Sequence, residues 1–403
     1  MLQVEDAQAR VMAEVAAGAA ETVELDDALG RVLREDVVAT HDLPAADNSA
    51  MDGYAVRAGD IEHAPVTLPV IADIPAGHPT DLQLEPGSAM RIMTGAFVPD
   101  GADTVVQVEL TDGGLERVTV TKALSRGTSI RRRGEDMRAG DVVLRAGMRI
   151  GPAEVAILAN AGKVRVEVGR RPTVAILSTG DELVDVGESP PPGKIVNTNG
   201  PLLAALVRES GAIPRPLGIV RDTREATVAA FEVAAESDFV ISSGGVSVGA
   251  FDFVKDALEA LGAETKFWRV AMKPGKPVVL SRLRDRVVFG LPGNPVSCFV
   301  SFHLFVAPAL RKAMGQEAQL YPPAVRARLT GPLRGAAERR VYARVQVTAR
   351  DGVLFATPLA SQSSGALTSM LTANGLAVIA EGGRADAGAE VDVVLLGLPS
   401  PMS

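Results

Sequence analysis

The sequence has almost no thiols, few imidazoles and few aromatic rings. Cys298 is the only cysteine, so an internal disulfide is excluded. The four scattered histidines show no zinc-ligand spacing. A metal in this chain would be a hard ion held by carboxylates. Cys298 sits in an apolar run over 296–310, where a buried, inert thiol is expected rather than a nucleophile. Aromatics make up 4% of residues against 47% hydrophobic, so the cores must be built from Val, Leu, Ile and Ala. Positive charge is outweighed, 41 Lys and Arg against 49 Asp and Glu, for a net charge of −8. That balance argues against a nucleic-acid partner and requires any anion site to be locally basic. The 296–310 run is too short to span a membrane and contains His303 and Pro308. The first ten residues are polar and mixed in charge, unlike a secretory signal. A soluble, cytoplasmic chain with no membrane partner is expected.

A length of 403 residues implies two to four domains. Apolar residues at Val4, Ala7, Val11 and Val15 have helical spacing, closed by Gly18. Residues 32–40 read as a strand and 41–57 as a polar loop dense in turn formers. Residues 66–120 read as short strands broken by Gly, Pro and Asp. From 173 onward buried strands alternate with helices, the signature of a parallel or mostly parallel doubly wound sheet. Strands are expected at 174–177, 216–220, 239–241, 265–270, 277–280 and 287–290. Helices are expected at 199–210, capped by Asn199, and at 223–235, 254–261 and 295–310. Tyr321-Pro322-Pro323 marks a linker, and the tail reads as small and all-β. The fold class is therefore α/β plus β and multidomain, with a doubly wound α/β domain, a β-rich inserted domain and a small C-terminal β domain. The expected divisions are 1–42 with 137–170, 43–136, 171–318 and 319–403.

Polar loops recur at strand ends of the α/β region. Ser178 to Glu182 follows the first strand and Asp222 the second. Ser242 to Asp252 follows the third, with Ser243, Gly244, Gly245, Ser247 and Gly249 between. Lys273 and Lys276 follow the strand expected at Arg269, and Pro292, Asn294 and Pro295 precede the last helix. Crevices beyond strand carboxyl ends are the usual ligand sites of such sheets. Glycines let backbone approach a ligand, and helix N-termini offer N–H groups to anions. Glu182, Asp222 and Asp252 suit a magnesium ion, although each alone reads equally well as a cap or solvated turn. Lys273, Lys276 and Arg269 suit phosphate or another oxyanion. The Arg131–Arg133 run reads first as a solvated charged face, with Asp136 placed to pair with Arg132.

With those residues placed, the chain resembles the MoeA family, the molybdopterin molybdenumtransferases, also seen as the E domain of gephyrin. The ordered motifs are Asn48 to Ala55, Ile92 to Ala96, Arg133 to Asp136, Ser178 to Leu183, the 242–252 loop, Lys273 to Pro277, and Leu291 to Ser297. The resemblance implies four domains and an elongated homodimer in which Asp52 and Thr94 face the partner's α/β site. It implies insertion of molybdate into adenylylated molybdopterin with release of AMP. The functional set it carries over is Asp52, Thr94, Asp136, Glu182, Asp222, Asp252, Lys273, Lys276, Arg344 and Ser364. Arg269 stands where a lysine often occurs, which keeps the charge but changes the geometry. On this basis Glu182, Asp222 and Asp252 would hold Mg²⁺, and the two lysines would bind phosphate. Molybdate would meet Arg269, Arg344 and Ser364. The enzyme that adenylylates molybdopterin and the enzymes that accept the cofactor stand as candidate partners. Two other readings remain open at this point, a molybdopterin adenylyltransferase and a gephyrin-like scaffold.

Overall fold

The structure, a computed structural model, describes residues 1–246 and 253–401, the side chains of 400 and 401 excepted. The chain forms two compact units. One comprises Met1–Glu35, Ala146–Gly151 and Arg165–Ser403; the other comprises Asp36–Arg145 and Pro152–Val164.

The larger unit is built on a six-stranded sheet. Its order is Ile213–Val220, Thr173–Thr179, Phe239–Ser243, Arg286–Leu291, Val279–Leu283 and Glu264–Phe267. The first four strands are parallel, and Val279–Leu283 runs antiparallel to both of its neighbours, Arg286–Leu291 and Glu264–Phe267. The inner strand Phe239–Ser243 is buried throughout, which explains the apolar run Phe239-Val240-Ile241 at its start. Ile176 and Ile241 belong to one core with Val4, Ala7 and Val11 of the helix Val4–Glu14. Burying side chains of this size contributes about 1.5–3 kcal/mol each. The helix Arg224–Ala234 starts at Thr223, whose Oγ1 accepts from Ala226 N–H at 3.2 Å.

Three sequence expectations change in this sheet. The strand expected to reach residue 270 stops at Phe267, so Arg269 lies in the following segment. That segment returns through Met272–Lys273, which pairs with Arg340 and Val341 of the C-terminal sheet. Asn199 is not the cap of its helix, since Thr198 occupies that position and Asn199 is already helical. The last helix continues through Pro308 to Ala313, with a π-helical stretch at Phe302–Val306. Proline lacks an N–H and crowds the carbonyl four residues back, and a widened turn before it accommodates both effects. The run Pro295–Ala313 is long and apolar enough to cross a membrane, but most of it, 78%, is buried inside the protein. Its apolar surface is used in the core.

The C-terminal strands close into a ring. Arg340–Arg350 pairs with Val353–Pro358, then Ala324–Leu329, Glu390–Leu395 and Gly375–Ile379 follow, and the last pairs back to Arg340–Arg350. Closure satisfies the edges that five open strands would expose.

The smaller unit contains a five-stranded sheet ordered Thr104–Gln107, Gly53–Val56, Ala89–Ile92, Val66–Ile74 and Arg117–Val120. Gly53–Val56 was expected to be loop, yet it is a fully buried inner strand. A Cβ on Gly53 would collide with the Val106 carbonyl, so the residue that reads as a turn signal is what lets the strands meet. The strand expected over 32–40 is reduced to Val37–Val38.

Candidate functional site

The order of the parallel strands reverses between Thr173–Thr179 and Phe239–Ser243, because the second strand in sequence lies outside the first. At such a switch point the loops diverge and leave a crevice. A cleft of about 420 Å³ lies there, lined by residues of Ser178–Leu183, Ile195–Asn199, Ser243–Val246 and Pro292–Pro295, with Asp222 and Pro277. Glu182, Asp222, Ser243, Gly244, Gly245, Pro292, Asn294 and Pro295 are therefore brought together.

The loops are drawn close by glycine. Gly244 has φ +91°, and a Cβ there would lie 2.6 Å from the Thr179 carbonyl oxygen. Gly245 has φ +64°, and a Cβ would lie 2.9 Å from Thr179 Oγ1. Two strand ends can abut only because neither position carries a side chain. Asn199, which reads from sequence as a cap, joins two of the loops. Its amide Nδ2 donates to Ser243 Oγ and to the Gly293 carbonyl, both at 2.7 Å. Its Oδ1 is buried and has no partner, as is Thr179 Oγ1. Both residues belong to the lining of the cleft. Position alone in a helical pattern could not reveal Asn199, since its partners lie 44 and 94 residues away.

Asp181 and Asp222 bind each other's backbone: Asp181 N–H donates to Asp222 Oδ2 at 3.1 Å, and Asp222 N–H donates to Asp181 Oδ1 at 3.4 Å. This exchange ties the ends of the first two strands. Pro295 opens the last helix, and its N-terminus meets the cleft. Buried Cys298 lies behind Ser243, and burial pushes its thiol up to about 12, against a smaller opposing contact from Ser243. It is not a nucleophile at neutral pH.

Other candidate residues lie elsewhere. Lys273 and Lys276 are exposed and do not line the cleft, although Pro277 does. Arg269 borders a separate hollow with Met1, Leu2 and Trp268. Arg344 is buried, and its guanidinium donates to the carbonyls of Ser361 at 2.8 Å and Ser363 at 3.0 Å. It holds the 361–364 turn against the last helix, where Val296 N–H donates to the Ser364 carbonyl at 3.2 Å. Ser247, Gly249 and Asp252 lie outside the described residues.

Within the smaller unit, Asp52 and Thr94 form one polar group. Asp52 Oδ1 accepts from Thr94 N–H and Thr94 Oγ1, both at 2.7 Å. The backbone bond, then the hydroxyl bond, holds this carboxyl below its usual range. Asp136 borders a hollow with Asn48, Arg131 and Glu135. It does not pair with Arg132 as the spacing suggested. Arg132 pairs with Asp47 and Arg133 with Asp42, both at 2.5 Å, because the 42–47 segment lies alongside.

A doubly wound α/β sheet with a polar switch-point cleft, carrying a closed β-barrel, defines a multidomain protein of the small-molecule-binding α/β class. Comparison with known proteins gives the family. Residues 2–162 match the MoeA N-terminal region (domain I and II), 175–312 a probable molybdopterin binding domain, and 326–396 the MoeA C-terminal region (domain IV). A molybdopterin molybdenumtransferase of Bacillus subtilis is 38% identical over 98% of this chain and 94% of its own. One from a Nostoc species is 41% identical over 94% and 89%. The solved molybdopterin biosynthesis MoeA protein of Pyrococcus horikoshii superposes with a TM-score of 0.84 at 31% identity, covering 98% of this chain and 100% of its own. The chain belongs to the MoeA family of molybdopterin molybdenumtransferases.

Proposed function

We propose that this protein inserts molybdate into adenylylated molybdopterin and releases AMP, completing a molybdenum cofactor. The observation that carries the reading is the cleft itself. Two strand ends packed through Gly244 and Gly245, a helix N-terminus at Pro295 and the carboxylates Glu182 and Asp222 converge on one space. Backbone N–H groups suit the phosphates of such a substrate, and the dithiolene sulfurs that take the metal belong to the substrate itself. Buried Cys298 is therefore not required as a ligand.

Glu182 and Asp222 fit a magnesium ion, which takes one or two carboxylates and completes its shell with phosphate oxygens and water. When bound, the ion supplies Lewis-acid polarisation of a phosphoryl oxygen. Asp252 joins this set in the proposal. An oxygen lost from molybdate, or a water, attacks the adenylyl phosphorus. The bridging P–O bond then breaks, AMP leaves with the new oxygen, and the pterin keeps its monophosphate. In this reading Lys273 and Lys276 bind the substrate phosphates, Lys276 being the residue before Pro277 of the cleft lining. Molybdate, in the same reading, meets Arg269, Arg344 and Ser364.

The protein acts as a cytoplasmic homodimer in this reading, with Asp52, Thr94 and Asp136 serving the partner's cleft. A monomeric variant with full activity would contradict the dimer. Incubation with adenylylated molybdopterin and molybdate should release AMP and leave molybdenum on the pterin. Pyrophosphate from ATP and molybdopterin, without molybdate-dependent AMP release, would instead indicate an adenylyltransferase.

A further inference from the structure

A second cavity, of about 830 Å³, lies in the larger unit away from the cleft. The end of the last helix, the Gln316–Pro323 connection and the segment after the barrel strand Glu390–Leu395 enclose it, with Arg149 and Gly30 on one side. Arg149 and Arg311 both line it. Arg311 gives one N–H to the Leu320 carbonyl at 2.6 Å. Among the described residues the Arg149 guanidinium has no hydrogen-bond or ion-pair partner. Glu209 is the only carboxylate in the lining; it forms no salt bridge with either arginine, although its charge acts on Arg311. The cavity thus carries surplus positive charge in a chain whose net charge is −8.

His303 adds an independent observation. It lines the same cavity, and its Nε2 is buried without a partner. The ring is fixed by edge contacts to Phe299 and Phe302, at centroid distances of 4.6 and 6.0 Å. Burial, then the Arg311 charge, pushes its pKa down to about 4. The ring is therefore neutral at physiological pH and able to place one N–H on an acceptor. A buried polar atom of this kind calls for a partner.

We propose that this cavity is a second small-molecule site that takes an organic phosphomonoester, its dianion between Arg149 and Arg311 and within reach of His303 Nε2. Two guanidiniums match a dianion better than a monocarboxylate. Tyr321, Pro322 and Leu396 give the remaining wall an apolar character suited to the ester's organic part. The volume lies in the range of organic-ligand pockets, and a bare oxyanion would leave most of it empty. Phenyl phosphate is the probe.

The protein has three tyrosines, Tyr54, Tyr321 and Tyr342, so 3-fluorotyrosine labelling gives a local signal. The Tyr321 resonance is assigned with Tyr321→Phe. Phenyl phosphate should shift it saturably while leaving Tyr54 in place. Arg149→Gln should weaken that binding at least about tenfold with the unfolding midpoint unchanged, because the side chain has no internal partner to lose. No saturable shift at millimolar probe, equal binding by uncharged phenol, an equal effect from inorganic phosphate alone, or unaltered binding in Arg149→Gln would each overturn the proposal.

Discussion

Asn199 and Ser243 are joined by one hydrogen bond of 2.7 Å, and the same amide holds the Gly293 carbonyl at an equal distance. One side chain in the first turn of a helix thus sets the spacing of two ligand loops. Asn199→Ala would leave two groups without their donor, at a cost of about 1–3 kcal/mol. Chemical denaturation should register that loss, and the KM for adenylylated molybdopterin should rise. An unchanged KM would remove Asn199 from the site.

Gly244 and Gly262 separate backbone strain from close approach. Both have positive φ, +91° and +71°, but only Gly244 has atoms within 4 Å of a built Cβ. Gly262→Ala should cost about 1–2 kcal/mol for the left-handed backbone. Gly244→Ala should cost a further 1–3 kcal/mol or so, because the Thr179 carbonyl must move. It should also weaken pterin binding, measured by isothermal titration. Equal stability losses with intact binding would refute the close-packing argument.

The Asp52–Thr94 pair makes a pH prediction. The two Thr94 donors lower the native pKa of Asp52, so their stabilising effect is complete above the unfolded value of about 3.9. It is lost as the pH falls through the lower native value. Thr94→Val removes the hydroxyl bond and should raise the Asp52 midpoint in a carboxyl NMR titration. A midpoint that stays in place would mean the hydroxyl does not act on this carboxylate.

Cys298 reports on the core behind the cleft. With its thiol raised to about 12 and fully enclosed, it should resist a disulfide reagent in the native protein and react completely after unfolding. Rapid native reaction would show that the core opens behind Ser243.

The α/β fold was legible because its inner strands carry short apolar runs followed by polar, glycine-containing loops, as at Phe239–Ile241 before Ser242 to Gly245. The loops Ser178–Glu182 and Pro292–Pro295 were legible for the same reason, since they directly follow such strands. Gly53–Val56 was not, because local turn chemistry outweighed a pairing partner that is remote in sequence. Asn199 was misread because caps and long-range amide bonds use the same residue type. The cations at 269–276 could not be placed from strand order, since Met272–Lys273 turns away to pair with the barrel. Pairing between domains leaves no local pattern in a sequence.

Asp222 and Glu182 hold the central claim, that the switch-point cleft performs the cleavage. The most direct measurement is molybdate-dependent AMP release from adenylylated molybdopterin by Asp222→Asn and Glu182→Gln, alongside pterin affinity. The expected result is AMP release reduced at least about a hundredfold in each, with pterin affinity nearly unchanged. Wild-type AMP release by both variants would place the reacting phosphate outside this cleft.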